Sequence, residues 1–166
     1  EIWEPIQTIR RQYDRQIKRW MPHVNLLYPF WPREHFAAAL PRLQDVGAHL
    51  EPFQVRLTTV QAFTHAHGKA TLWLTPEPRE AFVALQAALQ AAFPDCQEQT
   101  RFARGFTPHL SVGQAASGAE RQEMLRLLQT RWQPIQFTLA AVQLIWRQAE
   151  APFQVAYTIP LGQSVA

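Results

Sequence analysis

Residues 22–26, Pro-His-Val-Asn-Leu, recur as residues 108–112, Pro-His-Leu-Ser-Val, at a separation of 86 positions. In both copies proline precedes a histidine, and a short hydrogen-bonding side chain stands two positions after the histidine. Side chains at positions i and i+2 of a strand point to the same face. We therefore expect each histidine to share a face with the polar residue that follows it, while the apolar residues between them face a core.

A second, longer match supports an internal duplication. Residues 53–61, Phe-Gln-Val-Arg-Leu-Thr-Thr-Val-Gln, are similar to residues 135–143, Ile-Gln-Phe-Thr-Leu-Ala-Ala-Val-Gln. The apolar alternation changes phase at the same point in both segments, after Leu57 and after Leu139. A β-bulge or a bend at each place would explain the change of phase. The chain is therefore predicted to be a duplicated α+β unit.

Prolines and hydrophobic periodicity divide the rest of the chain into helices and strands. Helices are predicted at residues 3–20, 32–46, 78–93 and 119–131, and strands at residues 23–28, 53–61, 69–75, 107–112, 135–147 and 153–159. Pro41 is expected to kink or shorten the second helix. No segment has the composition of a linker, so we predict a single domain over residues 1–166. Its repeat units are expected at about 20–76 and 105–160, each a lobe of helix and antiparallel sheet.

Composition excludes several classes of protein. Hydrophobic residues make up 47% of the 166 residues and charged residues 17%, which is typical of a folded domain and not of a disordered chain. Cys96 is the single cysteine, so neither an internal disulfide nor a cysteine-based zinc site can form. No apolar run approaches 18 residues and no leader is evident, so we expect a soluble protein of the cytoplasm or nucleus. The net charge of +3 is compatible with an anionic ligand.

The two histidines favour acid–base chemistry. If the repeats pack about a pseudo-twofold axis, His23 and His109 converge in a groove between the lobes. Histidine titrates near pH 6.5, so one imidazole could take a proton from a nucleophile while the other gives one to a leaving group. The polar residues that follow would then bind a tetrahedral anion such as phosphate. A lone histidine on a strand is usually structural, but a repeated pair is poor core material because imidazoles need polar partners.

These paired motifs, in a duplicated α+β chain, resemble the two His-x-Thr/Ser (HxTx) motifs of the two-histidine (2H) phosphoesterase superfamily. That group includes the 2′,5′-RNA ligase-like proteins and the cyclic nucleotide phosphodiesterases. The resemblance covers essentially the whole chain. Either motif alone is a weak signal, whereas the pair at this spacing is a strong one. Residues 21–30 and 106–114 are most similar to the branch that contains the C-terminal domain of leukocyte receptor cluster member nine.

The resemblance implies a bilobal fold, with two pseudo-symmetric lobes around a central cleft. It also implies metal-independent hydrolysis of 2′,3′-cyclic phosphates or related phosphodiesters of RNA ends and nucleotides, without a cofactor. His23 and His109 would be the acid and base, and Ser111 a phosphate ligand. Asn25 departs from the pattern, which usually has Thr or Ser there. Its longer amide can still donate to a phosphate oxygen, so two questions stay open: whether the product is a 2′- or a 3′-phosphate, and whether activity is weakened or specialised.

Five further residues are candidates for contacts with substrate. Arg101 and Arg104 precede the second motif and could bind phosphate through a guanidinium, or could be solvated loop charges. Tyr28 and Phe30 follow the first motif and could stack on a base or belong to the core. Gln114 follows the second motif and could line the cleft.

Two other polar groupings receive simpler interpretations. His65 and His67 have the spacing of a metal-binding pair, but no carboxylate lies near them in sequence and a hairpin tip is predicted there, so we expect no metal site. The charged residues of the first helix, including Asp14, are placed outside its apolar stripe. Its basic residues are interpreted as a solvent-exposed face, or as an extension of an RNA-binding surface: Arg10, Arg11, Arg15, Lys18 and Arg19.

Three functions are open at this point. The leading one is hydrolysis by a monomeric enzyme whose substrate is an RNA end or a small cyclic nucleotide or oligonucleotide. The second is non-catalytic binding of RNA or nucleotide phosphates, which the departure at Asn25 favours. The third is 2′,5′-RNA ligation, which would use the same residues in the reverse direction.

Overall fold

The computed structural model describes residues 3–98 and 105–162. In those ranges the helices are α1 (Trp3–Tyr13), α2 (Phe36–Ala48), α3 (Arg79–Ala92) and α4 (Gly118–Arg131). The strands are β1 (Phe53–Thr64), β2 (Ala70–Glu77), β3 (Leu110–Ala115), β4 (Ile135–Leu139), β5 (Ala141–Trp146) and β6 (Gln154–Pro160). Short 3₁₀ turns precede α2 and join β1 to β2. Helices combined with antiparallel strand pairs confirm the predicted α+β class.

The chain divides into two compact units, each made from three segments of sequence. Unit 1 comprises Glu1–Val24, Val55–Glu77 and His109–Phe137, and unit 2 comprises Asn25–Gln54, Pro78–Pro108 and Thr138–Ala166. Each unit thus draws on both halves of the chain. The sequence repeats at about 20–76 and 105–160 stay a prediction.

Unit 1 is built on a four-stranded sheet in the order β3-β2-β1-β4, against which α1 and α4 pack. The core of this unit includes Leu72 and Leu74 of β2 and Val112 of β3, none of which has exposed surface. The pairing of β1 with β2 shifts register between Leu57 and Val60. This irregularity confirms the bulge expected from the change of apolar phase in the sequence.

Unit 2 has helices α2 and α3 and the antiparallel pair β5-β6. Leu85 and Leu89 of α3 are buried, together with residues of α2, β5 and β6. Helix α2 continues through Pro41 to Ala48, so the expected shortening was wrong, whereas the kink stays a prediction. Gly47 permits a close approach, because a Cβ there would lie 2.6 Å from the carbonyl oxygen of Pro160.

Three other predicted elements differ from the structure. Residues 23–28 form no strand, so the expected strand there was wrong. Helix α1 ends at Tyr13, earlier than predicted, because the Asp14 side chain accepts the backbone N–H of Gln16 at 2.8 Å and so competes with helical hydrogen bonding. The strand expected at 135–147 is divided at Ala140 into β4 and β5, which belong to different sheets. None of the helices in the described ranges has the length and apolarity needed to span a membrane.

Candidate functional site

The second histidine motif is held by the sheet of unit 1. From residue 107 to residue 112 the side chains alternate between half-buried and buried, and His109 and Ser111 are among the half-buried ones. Ser111 lies in β3 directly opposite Trp73 of β2. The expected sharing of one face by this histidine and this serine therefore agrees with the burial pattern of the strand.

Aromatic rings fix the position of the His109 side chain. The His109 ring meets the ring of Phe63 edge-on, with centroids 4.9 Å apart, and that of Trp73 at 6.0 Å. Phe63 and Trp73 are themselves stacked at 4.8 Å. Edge-to-face contacts place the positive ring edge of one aromatic group against the negative face of another. This imidazole therefore sits against a preformed aromatic wall.

The first histidine motif is held without a strand. The His23 ring stacks on the ring of Trp20 at a centroid separation of 4.6 Å and an interplanar angle of 20°. His23 Nδ1 lies 2.7 Å from the backbone carbonyl oxygen of Met21. Because a carbonyl oxygen can only accept, Nδ1 carries the proton, and the Nε2 of the neutral ring has the lone pair.

The surroundings of His23 favour this neutral form. Burial lowers the pKa of His23 below its ordinary value of 6.5, and the hydrogen bond to Met21 opposes that change. The positive charges of Arg10 and His109 lower the pKa further, while Asp14 raises it. At pH 7 the ring is therefore neutral, and its Nε2 can accept a proton.

The structure brings the two predicted histidines together in unit 1. They are close enough that a charge on His109 acts on the pKa of His23. Of this pair, His23 has the features of a base, since its tautomer is set and its pKa is low. His109 leads directly into the strand that carries Ser111, so a hydroxyl donor lies close to the second imidazole.

The remaining predicted site residues are placed differently. Asn25 is half-buried and begins a segment of unit 2, and Tyr28 in the same segment is 38% exposed. Phe30 packs against the core cluster of unit 2, which favours the second of the two roles considered for it. Arg101 and Arg104 lie outside the described residues.

Gln114 is engaged by protein groups at both ends of its amide. Its Nε2 donates to Asp14 Oδ1 at 2.9 Å, and its Oε1 accepts the backbone N–H of Arg15 at 2.9 Å. These bonds join β3 to the residues that follow α1. The predicted contact of Gln114 with substrate is untested, but the side chain has a structural role of its own.

The histidines of the hairpin between β1 and β2 form no cluster suited to a metal ion. His65 Nε2 lies 2.8 Å from the Thr71 hydroxyl, and His67 adopts a left-handed backbone conformation, with φ of 58°, in the turn. Throughout residues 3–98 and 105–162, no group of three or more His, Cys, Asp or Glu side chains could hold a metal ion.

The polar face assigned to α1 was wrong at two positions. Arg10 is only 2% exposed and Asp14 only 7%, and the two form an ion pair with Arg10 Nε 2.7 Å from Asp14 Oδ2. The signal was present in the sequence, because Ile6, Arg10 and Asp14 follow one another at steps of four and so share a helix face. An arginine and an aspartate at that spacing can satisfy each other when buried.

Known proteins match this chain over nearly its whole length. The family model of the 2′-5′ RNA ligase superfamily matches residues 1–151. A Bacillus pumilus protein named "Putative phosphoesterase" is 26% identical over 94% of this chain and 88% of its own length. Relatives of the same description in Bacillus licheniformis and Bacillus cytotoxicus are each 23% identical, over 93% and 98% of this chain and 89% and 91% of their own lengths.

A solved structure shares the fold. The crystal structure of the protein TT0787 of Thermus thermophilus aligns with a TM-score of 0.65 over 97% of this chain and 92% of that one, at 16% sequence identity. Since the family match includes both histidine motifs and nine-tenths of the sequence, the chain belongs to the 2′-5′ RNA ligase superfamily, a group of 2H phosphoesterases.

Proposed function

We propose that this protein is a metal-independent phosphodiesterase that hydrolyses 2′,3′-cyclic phosphates or related phosphodiester bonds of RNA ends and nucleotides. The observation that carries the proposal is the pairing of His23 and His109 in unit 1, with His23 held as a neutral ring whose lone pair is on Nε2. Two imidazoles of different protonation are what such a displacement at phosphorus requires.

The proposed reaction assigns one proton transfer to each histidine. His23 Nε2 takes a proton from water as the water oxygen forms a bond to phosphorus. The bond between phosphorus and one ribose oxygen breaks, and protonated His109 gives its proton to that oxygen. His23 then carries the extra proton and His109 is neutral, and exchange with solvent restores both. The product is a phosphomonoester beside a free hydroxyl.

The proposed phosphate ligands are Ser111 and Asn25. A hydroxyl beside His109 can donate to a phosphate oxygen whose charge rises in the transition state. Tyr28, with its exposed ring, is a candidate for stacking on a base, and Arg101 and Arg104 are candidates for further phosphate contacts. We further propose a monomer that works in the cytoplasm or nucleus and belongs to the leukocyte receptor cluster member nine branch of the superfamily.

The deciding experiment is a substrate panel assayed in the presence of EDTA. The panel contains 2′,3′-cyclic nucleotides, oligoribonucleotides ending in a cyclic phosphate, and 2′,5′-linked dinucleotides. We expect turnover of at least one member, unaffected by the chelator and lost in both His23→Ala and His109→Ala. His49→Ala is the matched control, since that side chain is 78% exposed in unit 2 and should leave turnover unchanged.

A second candidate function, non-catalytic binding of RNA or nucleotide phosphates, is favoured by Asn25. The superfamily usually has Thr or Ser at this position, and an amide is longer than a hydroxyl. Tight binding of a cyclic-phosphate nucleotide without turnover over hours would support binding alone. In that case Asn25→Thr is the informative variant, because gain of turnover would assign the loss of activity to the amide. Joining of RNA ends to give a 2′,5′ linkage would instead support a ligase.

A further inference from the structure

Arg10 is the most deeply buried charged group among the described residues, and it contacts the segment that carries His23. Its Nη2 donates to the backbone carbonyl oxygen of Trp20 at 2.7 Å, and its Nη1 to Gln7 Oε1 at 3.1 Å. Its Nε donates to Asp14 at 2.7 Å. A planar guanidinium holds three acceptors in a fixed arrangement, which the flexible ammonium of a lysine cannot reproduce.

Asp14 completes the arrangement from the end of α1. One carboxylate oxygen accepts from Arg10, and the other accepts from the backbone N–H of Gln16 and from Gln114 Nε2. Gln114 lies in β3, three positions after Ser111. The buried ion pair therefore connects the Trp20 carbonyl on one side to the strand of the second motif on the other.

A glycine makes this connection sterically feasible. A Cβ on Gly113 would lie 2.7 Å from Tyr13 Cβ and 3.1 Å from the Tyr13 carbonyl oxygen, so a side chain there would push away the end of α1. Because Gly113 precedes Gln114 directly, the close approach of α1 to β3 occurs beside the bond between Gln114 and Asp14.

We propose that Arg10 and Asp14 are positioning residues for His23, and that through Gln114 they align its segment with β3. The inference rests on the proposed function for its catalytic meaning. Arg10 fixes the carbonyl of Trp20, the indole of Trp20 supports one face of the imidazole, and the next carbonyl, that of Met21, sets the imidazole tautomer. No strand holds this segment, so the side-chain network supplies the orientation that a sheet would otherwise give.

The test compares Arg10→Met and Arg10→Lys with Arg11→Met. Arg11 is the matched control, because it lies on the same helix and forms an ion pair with Glu4, but both side chains are exposed, at 58% and 63%. We expect both Arg10 variants to lower kcat by about 10- to 100-fold with KM changed less than threefold, because misplacing a reacting group affects turnover most strongly. Arg11→Met should match the wild type.

A second readout does not depend on activity. Two-bond ¹H–¹⁵N NMR reports the tautomer and pKa of His23 in the free protein. In the wild type, Nδ1 should carry the proton. In Arg10→Met we expect a mixture of tautomers and a higher pKa for His23, because a positive charge that lowers it is gone while the carboxylate of Asp14 and the charge of His109 remain. If no substrate is turned over, the proposed function fails and this measurement still decides the inference.

Two outcomes would overturn the inference. One is an Arg10→Met protein with a lower thermal midpoint but wild-type kcat and an unchanged tautomer, which would make the pair purely structural. The other outcome is measured on Gln114→Leu, which also serves if Arg10→Met does not fold. Gln114→Leu removes the bonds from β3 to Asp14 and Arg15 but keeps the ion pair of Arg10 and Asp14, and it should lower kcat by about 3- to 10-fold. Wild-type kcat and tautomer in Gln114→Leu would contradict the alignment with β3.

Discussion

The two histidine motifs share Pro-His and the same order of apolar and polar residue types, but they are held by different means. His109 directly precedes β3, whose ladder with β2 begins at Leu110, and its ring lies against those of Phe63 and Trp73. His23 lies in an irregular segment, and its orientation comes from a stacked indole and hydrogen bonds to backbone carbonyls. Two similar motifs can therefore position a histidine side chain either beside a strand of a sheet or through a buried ion pair. The position of His23 depends on a few side chains, so a single substitution should change the orientation of His23 more than that of His109.

The largest expected effect comes from removing either imidazole. His23→Ala and His109→Ala should each lower kcat by about 10²- to 10⁴-fold, because each removes one proton transfer. Turnover of the preferred cyclic-phosphate substrate measures the loss, and circular dichroism checks that the fold is retained. Equal losses would show that the two motifs contribute alike, whereas full activity in either variant would defeat the assignment of that histidine.

Removing the hydroxyl of Ser111, in the second histidine motif, should have a smaller effect. Ser111→Ala should lower kcat/KM by about 10- to 100-fold, the usual effect of losing a hydrogen bond to a charged group. Ser117→Ala is the control, because that serine caps α4 by accepting the N–H of Glu120 and its loss should affect stability only. A Ser111→Ala enzyme with wild-type kcat/KM would exclude phosphate contact by this residue.

A methyl group at Gly113 tests the contact between α1 and β3. Gly113→Ala should lower the free energy of unfolding by roughly 1–3 kcal/mol, since Tyr13 must move to make room. Gly118→Ala is the matched control, because a Cβ there meets nothing within 4 Å and the position opens α4. Urea unfolding of both variants gives the comparison. Equal free energies of unfolding in the two variants would show that the end of α1 moves away without loss of stability.

The smallest expected effect is a displacement of the acid limb of the pH profile. The lowered pKa of His23 keeps the base neutral below pH 6.5, so kcat/KM should fall only as the pH drops further and His23 is protonated. Stability follows the same sign: the pKa is lower in the folded chain than in the unfolded one, so stability is lost as pH falls from about 6.5 through the folded value. A half-maximal rate above pH 6.5 on the acid side would contradict the assignment of His23 as the base.

The sequence predicted the elements whose signal is local. The alternation around Ser111 and the apolar stripe of α3 are periodic, and the bulge after Leu57 appears as a change of phase. The burial of Arg10 was missed because a charged residue is normally assigned to solvent, although two of its partners, Gln7 and Asp14, lie within four positions of it. Its acceptor Trp20 is ten positions away, and Gln114 is one hundred positions from Asp14.

The error at residues 23–28 has a similar origin. Alternating residues indicate that a segment can be a strand, but a strand also needs a neighbour to complete its hydrogen bonds. Whether a sheet edge is available to pair with residues 23–28 depends on the topology of the fold, which a local sequence pattern does not show. The sharing of a face by His23 and Asn25 was derived from that strand, so it loses its basis, whereas the side chains at residues 107–112 alternate as expected.

The interleaving of the two units affects how the chain can fold. Unit 1 needs both α1 and α4, which ends at Arg131, so its sheet and helices cannot assemble until that residue has been synthesised. Contacts of such high sequence separation slow folding, because long loops must close before the interactions form. A fragment cut between the histidine motifs would keep α1, β1 and β2 but lose β3. His23 is therefore synthesised more than eighty residues before β3, the strand that carries Ser111.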